Sequence, residues 1–336
     1  MVDIEAAWTE FMENGDFDNI DIKCESPLDN DIIPKASELY ISTKTKIIYL
    51  NKPISLNEAF WELKVLPYSN REEGIVKKQI KIISACDEEL NNIQEKLKSY
   101  TYSTQHIITH LDKQQSNSKV YKDVRKLSIG ISQKDLLSYR CKQKSAFYNC
   151  FVIIVRLFFQ QEKIFKEVHA KIFNTGKIEI PGIQNEKLFN QTCNYIVNRL
   201  NQLNIANDSQ YEIDTSKTET ILINSNFHCG FCINRQNLFN ILRRKYNLNV
   251  SYDPCSYPGI QCKYSIENCV ISFMVFRTGS VLIVGKCDDC IIYKVYNYLK
   301  NILESEYKDI REQYEVPIKQ KEKKQKVRKK TIYVNN

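Results

Sequence analysis

Ala170-Lys-Ile-Phe-Asn-Thr-Gly-Lys-Ile-Glu-Ile-Pro-Gly182 and Phe273-Met-Val-Phe-Arg-Thr-Gly-Ser-Val-Leu-Ile-Val-Gly285 are two versions of one pattern. Each runs an apolar stretch into a Phe, then a Thr-Gly turn, a second apolar stretch and a Gly. Short alternating runs broken by a Gly-containing turn predict a β-hairpin. A helical pattern follows each copy. Glu186 to Leu203 lines up Leu188, Tyr195, Ile196 and Leu200; Cys287 to Glu304 lines up Ile291, Val295, Tyr298, Leu299 and Ile302. A duplicated order of elements predicts a pseudo-two-fold α+β protein.

Outward from the second copy, Glu219 to Asn226 reads as a strand and Arg235 to Tyr246 as a helix. Asn249 to Tyr252, Ile260 to Ile266 and Cys269 to Phe276 read as strands. Outward from the first copy, strand character appears at Phe147 to Phe159 and Phe165 to Phe173. Farther upstream it appears at Ser37 to Leu50 and Gly74 to Ile83. Ser55 is positioned as the N-cap of a short helix ending near Leu63. Cys86 to Ser145 is Lys- and Gln-rich, has helical spacing at Leu90, Ile93 and Leu97, and contains the loop-like Gln114-Gln-Ser-Asn-Ser118. It reads as a partly helical, mobile insertion. The expected layout is a lead-in over 1–36 and a first repeat over 37–205 with its insertion at about 86–145. A linker over 206–217, a second repeat over 218–310 and a basic tail over 311–336 follow.

The formal net charge is +8. Lys319 to Lys330 carries eight basic residues and one acid, so +7 of that charge sits there and the rest of the chain is nearly neutral. Such a run is a solvated tail, a sequence-independent attraction to phosphates, or a nuclear address. No apolar stretch approaches the ~20 residues that span a bilayer. The start, Met1-Val-Asp-Ile-Glu, lacks a signal-peptide pattern, so the 12 Cys are expected to stay reduced.

Cys229-Gly-Phe-Cys232 and Cys287-Asp-Asp-Cys290 offer four thiols, the number a structural zinc takes. Their separation exceeds that of common zinc ribbons, and isolated reduced cysteines are the preferred reading, with no metal and no cofactor. His106 and His110 are four apart without the neighbouring Glu of a metalloprotease. Neither a phosphate loop nor a nucleophile elbow is present, which argues against an enzyme.

Ser251-Tyr-Asp-Pro-Cys-Ser-Tyr-Pro-Gly-Ile260 is similar to the stirrup segment of the TATA-box-binding protein. Phe273-Met-Val-Phe-Arg-Thr-Gly-Ser280 and Val284-Gly285 resemble the hairpin that follows it, in the same order and at similar spacing. The match covers about Thr218 to Tyr307 and is weaker in the first half. The long insertion resembles the divergent versions carried by large DNA viruses.

The resemblance implies a saddle: one curved antiparallel sheet with helices on the convex face and a concave face for the DNA minor groove. The family inserts apolar wedges between base steps. Residue by residue, the implied wedges are Phe276 and Tyr257 in the second repeat and Phe173 in the first. Lys263 stands where a phosphate-contacting Arg is expected. Asp253 matches one of two acidic residues that dock transcription factor IIB, while Cys255 replaces the other. The remaining first-repeat wedge has two alignments: Gly74 on Gly259 gives Glu72, and Phe147 to Leu157 as the strand gives Cys150 or Phe151. Glu179 and Pro181 depart from the family's small groove-lining residues. Its paired Asn residues fall near Glu38 and Ile221.

The implied function is a transcription initiation factor that binds AT-rich double-stranded DNA. A factor-IIB-like protein and RNA polymerase are its further partners. It is expected as a monomer, off the membrane, in the nucleus or in a cytoplasmic viral factory, with packaging in the virion a further expectation. The alternative is a protein-binding scaffold that keeps the saddle without TATA recognition.

Overall fold

The computed structural model describes residues 33–115, 118–137, 148–203 and 210–312. Most of the lead-in, residues 1–32, and the basic run Lys319 to Lys330 lie outside the described residues. Among the described residues, no helix is long and apolar enough to cross a membrane. The chain separates into two compact units. Ile41–Asn224 with Gly285–Cys287 make the N-terminal unit; 33–40, Ser225–Val284 and 288–312 make the C-terminal unit.

In chain order the N-terminal unit holds β1 (Tyr40–Tyr49), α1 (Leu56–Glu62), β2 (Gly74–Ser84), α2 (Asp87–Lys98), β3 (Ser103–Gln115) and β4 (Ser118–Gly130). Then come α3 (Gln133–Leu137), β5 (Cys150–Phe159), β6 (Ile164–Phe173), β7 (Lys177–Ile183) and α4 (Glu186–Asn201). The strands lie side by side in the order β3-β4-β2-β5-β6-β7-β1. Their registered pairs are antiparallel.

The C-terminal unit takes the end of β8 (Glu219–His228), then α5 (Arg235–Arg244), β9 (Asn249–Ser251), β10 (Ile260–Ile266) and β11 (Cys269–Val275). It closes with β12 (Ser280–Gly285), α6 (Asp289–Ser305) and α7 (Tyr307–Ile310). Its strand order is β8-β12-β11-β10-β9. This repeats the order β1-β7-β6-β5-β2 of the other unit, so β5 corresponds to β10 and β2 to β9. Each unit is α+β, an antiparallel sheet with helices, as the duplicated sequence pattern predicts. The segment α2-β3-β4-α3 therefore sits where the C-terminal unit has only the loop between β9 and β10.

One face of the N-terminal sheet is covered. Phe151, Ile153, Val155 and Leu157 of β5 join Ile172 of β6, Ile178 and Ile180 of β7, and Leu127 and Ile129 of β4. Against them pack Ala59 and Phe60 of α1, Leu97 of α2, and Leu188, Phe189, Ile196 and Leu200 of α4. Side chains alternate along a strand, so the intervening residues lie on the opposite face, here called the far face. Capping supports the helices that follow the hairpins and loops. The Asn185 side chain accepts from Lys187 N at 2.7 Å, and the Asn234 side chain accepts from Asn237 N at 3.1 Å.

Both hairpin turns need glycine. Gly176 and Gly279 have φ of +84° and +88°. A Cβ there would meet Lys52 O at 2.6 Å and Phe231 O at 2.2 Å. The shared Thr-Gly is thus a backbone requirement in each repeat. Pro181 is accommodated differently. Opposite it, the β1–β7 register jumps from Lys46↔Ile180 to Lys44↔Ile183, and Gly182 has φ +75°. The irregularity takes up a residue that has no N–H to give the ladder.

Lys78 is the largest departure from an apolar core. Its Nζ donates to Phe60 O at 2.6 Å and Leu63 O at 2.7 Å, carbonyls at the end of α1. The charge meets the negative end of the helix. Burial nevertheless lowers its pKa to about 8.

Strands β3 and β4 occupy much of the stretch that the sequence pattern presents as polar and partly helical. The helix expected at Leu90 to Leu97 is α2. The β4–β2 register, from Lys77↔Gly130 to Ser84↔Asp123, joins the hairpin to the sheet.

Candidate nucleic-acid interface

In the C-terminal unit, β10 and β11 pair from Ile260↔Val275 to Ile266↔Cys269. Tyr264 stacks on Tyr298 of α6 at 4.9 Å, which marks Ile260, Cys262 and Tyr264 as the helix side. The far face then carries Gln261, Lys263 and Ser265, opposite Met274, Ser272 and Val270. Asn249 and Ser251 of β9 continue these rows beside Lys263 and Gln261. Lys263 is exposed.

Tyr257 and Phe276, nineteen residues apart in sequence, meet beside this face. Their ring centroids are 6.0 Å apart with an interplanar angle of 60°. Gly259 makes the meeting possible: a Cβ would lie 3.0 Å from Tyr257 Cε1 and 3.1 Å from Phe276 Cε1. The Tyr257 hydroxyl donates to Met274 Sδ at 3.4 Å, and burial pushes its pKa up to about 12. Both rings remain partly exposed.

Asp253 shapes the loop that delivers Tyr257. Its carboxylate accepts from Ser256 Oγ at 2.7 Å and Cys255 N at 3.0 Å, and its carbonyl accepts from Tyr257 N at 2.9 Å. The Ser256 and Cys255 bonds hold its pKa below the ordinary value. The side chain is exposed.

In the N-terminal unit the β5–β6 register runs from Cys150↔Phe173 to Phe159↔Ile164. Phe173, before its Thr-Gly turn, corresponds to Phe276, so Cys150 corresponds to Gly259. Tyr148, two residues before Cys150, then takes the place that Tyr257 has before Gly259. The register agrees with Phe147 to Leu157 as the corresponding strand and puts none of Glu72, Cys150 and Phe151 at the place of Tyr257. Glu72 lies before β2, the counterpart of β9, and its carbonyl accepts from Arg156 Nε at 3.2 Å. Phe151 faces the core and Cys150 is buried. Tyr148 is 57% exposed, with Lys81 Nζ 3.4 Å from its ring centroid. Lys177 Nζ lies 4.9 Å over the Phe173 ring.

Glu179 is on the far face, opposite Ile47 of β1 and Lys171 of β6. Lys171 Nζ approaches it at 3.0 Å and Lys177 Nζ at 4.0 Å. One carboxylate between two ammonium groups leaves this spot net positive. Asn224, on β8, donates its Nδ2 to Thr43 Oγ1 at 3.1 Å. Its Oδ1 is buried without a hydrogen-bond partner.

Cys229 Sγ donates to Phe231 O at 3.2 Å, and Cys229 N to Gly279 O at 2.9 Å, so this residue backs the hairpin turn. Among the described residues no three His, Cys, Asp or Glu side chains converge as a metal would need.

No family model matches the chain. It is 25% identical over 185 residues to a "TATA-box-binding protein-like" protein of Acanthamoeba polyphaga mimivirus, an alignment covering 49% of this chain. The chain spans about half (50%) of the length of that relative. A solved structure, "Methanococcus jannaschii TBP", superposes with a TM-score of 0.42 at 12% identity, over 80% of this chain and 99% of that one. Over about half its length the chain is similar to a TATA-box-binding-protein-like protein of a large DNA virus.

Proposed function

We propose that the chain is a transcription initiation factor that binds AT-rich duplex DNA in the minor groove. The observation that carries this is the contact of Tyr257 with Phe276 across Gly259. Two aromatic rings held side by side at a sheet margin, partly exposed, suit insertion at a base step. The wedge mechanism itself is the family's, taken over through the resemblance. Tyr148 and Phe173 hold the corresponding positions of the first repeat, and Lys263 supplies a phosphate contact. Minor-groove readout distinguishes A·T from G·C and little more, which agrees with a far face of Ser, Gln, Asn and Met rather than a dense donor array. Asp253 is proposed to meet a factor-IIB-like protein, with RNA polymerase recruited in turn. No catalytic role is assigned. The site of action is the nucleus or a cytoplasmic viral factory.

A second reading, a protein-binding scaffold, is favoured by one observation. Far-face side chains are withdrawn from solvent: Ile47 is 1% exposed and Ile154 3%. Such a face offers a duplex little further apolar surface to bury. The two readings separate in a fluorescence anisotropy titration of AT-rich and GC-rich duplexes at two salt concentrations. DNA binding predicts saturable, salt-sensitive binding with an AT preference. A scaffold predicts none at low salt.

A further inference from the structure

The hairpin β3–β4 has no counterpart in the C-terminal unit, and the strand registers fix what it adds to the far face. Lys77 and Gln79 of β2 oppose Ile154 and Val152 of β5, so they lie on the far face. Lys81 continues that row and stands directly opposite Lys126 of β4; Gln79 stands opposite Ser128. On β3, Thr104 opposes Ser128, His106 opposes Lys126 and Leu111 opposes Lys122. Two residues along β4 from Lys126 and Lys122 is Val124, on the same face.

The far face of β2, β4 and β3 therefore presents Lys77, Lys81, Lys122, Lys126 and His106. None of its described positions on these strands is acidic. Lys77 is taken up by Asp135 of α3 at 2.7 Å. Asp123 points to the other face, bound by Arg125 at 2.7 Å and His110 at 2.8 Å. Like charges directly opposite in a sheet cost stability, and here Lys81 and Lys126 are retained in that arrangement. The patch reaches the aromatic site, because Lys81 sits on the Tyr148 ring. The Tyr148 pKa is lowered by a hydrogen bond from Lys81 and by the charges of Lys81 and Lys122.

We propose that the β3–β4 hairpin is a phosphate-binding arm, which carries the backbone of the DNA duplex onward past Tyr148 through Lys81, Lys122, Lys126 and His106. The proposal rests on the duplex-binding reading and extends it. It gives the inserted segment a ligand chemistry: regularly spaced phosphates on a double helix, met without base readout. Each neutralised phosphate contributes close to one unit to the slope of log affinity against log salt.

The test uses the full chain and two AT-rich duplexes, one spanning only the aromatic pairs and one longer on both sides. Lys122→Ala/Lys126→Ala is expected to lower the salt slope on the long duplex by about 2 and to leave the short duplex unchanged. Lys122→Arg/Lys126→Arg is expected to restore the slope, which separates charge from folding. The arm is overturned if the alanine variant binds the long duplex with the parent's affinity and slope while Phe276→Ala still weakens it. If the parent binds neither duplex at low salt, the arm and the duplex-binding reading fall together.

Discussion

Phe276 and Tyr257, far apart in sequence, meet ring to ring in the fold. Both are legible as wedge candidates from the Tyr-Pro-Gly and Phe-Arg-Thr-Gly segments, and the fold brings their rings together. Truncating Phe276 to Ala is expected to weaken AT-rich duplex binding by about 1–3 kcal/mol, the range for loss of a base–aromatic stack. Tyr257→Phe keeps the ring and removes only a hydroxyl bonded to sulfur, so anisotropy should find its affinity unchanged. Tyr148 is the residue that sequence alone misses. The insertion breaks the alignment of the first repeat, and only the Cys150↔Phe173 pairing supplies the register. Tyr148→Ala is expected to match the loss at Phe276, and an unchanged affinity would remove it from the interface. Lys78 was equally hidden, since a Lys at one strand position carries no mark of burial. Below pH 8 its ammonium is charged in the folded and unfolded chain alike, and the burial penalty is fully present. Between pH 8 and 10.5 the folded protein releases the proton first, so stability rises with pH across that window. Denaturant melts should show the parent gaining on the order of 2–3 kcal/mol relative to Lys78→Met over this range; parallel curves would contradict it.

The elements follow local patterns wherever one period persists. Near-continuous apolar β5 and the hairpins β6–β7 and β11–β12 are readable because each strand has a buried face and a Gly-bearing turn. The Thr-Gly pairs are readable for the same reason, and their φ near +85° makes a direct prediction. Gly176→Ala and Gly279→Ala should each destabilise by about 2 kcal/mol or more, from the left-handed backbone and the carbonyl that the Cβ meets. Urea unfolding measures this. Strands β3 and β4 escape the pattern for a physical reason. Apart from Val124, Leu127 and Ile129 of β4 their residues are largely polar, and the register shifts between Ile107 and Thr109. A bulge moves the side chains that follow it to the other face, so the alternation is lost midway. The strand pairing that makes this hairpin part of the sheet is non-local and leaves no local signal.

At the scale of the whole molecule, charge is concentrated in two kinds of place. Of the formal +8, +7 lies in the run Lys319 to Lys330, and the far face of β2, β4 and β3 gathers lysines with no acid among its described positions on those strands. Removing 319–336 is expected to lower the salt slope of duplex binding while leaving the AT preference intact, because phosphate contacts position and base contacts specify. The duplicated strand order β1-β7-β6-β5-β2 and β8-β12-β11-β10-β9 was legible from the repeated hairpin. The positions proposed to face a groove could be named residue by residue in the second repeat, while the insertion, Glu179 and Pro181 interrupt the alignment of the first. On the proposed function, the aromatics Phe173 and Phe276 deform an AT-rich duplex. Energy transfer between dyes at the two ends of such a duplex tests it directly. The account predicts that the full chain raises transfer at saturation and that Phe173→Ala/Phe276→Ala abolishes the rise. A saturating parent protein that leaves the transfer unchanged would contradict it.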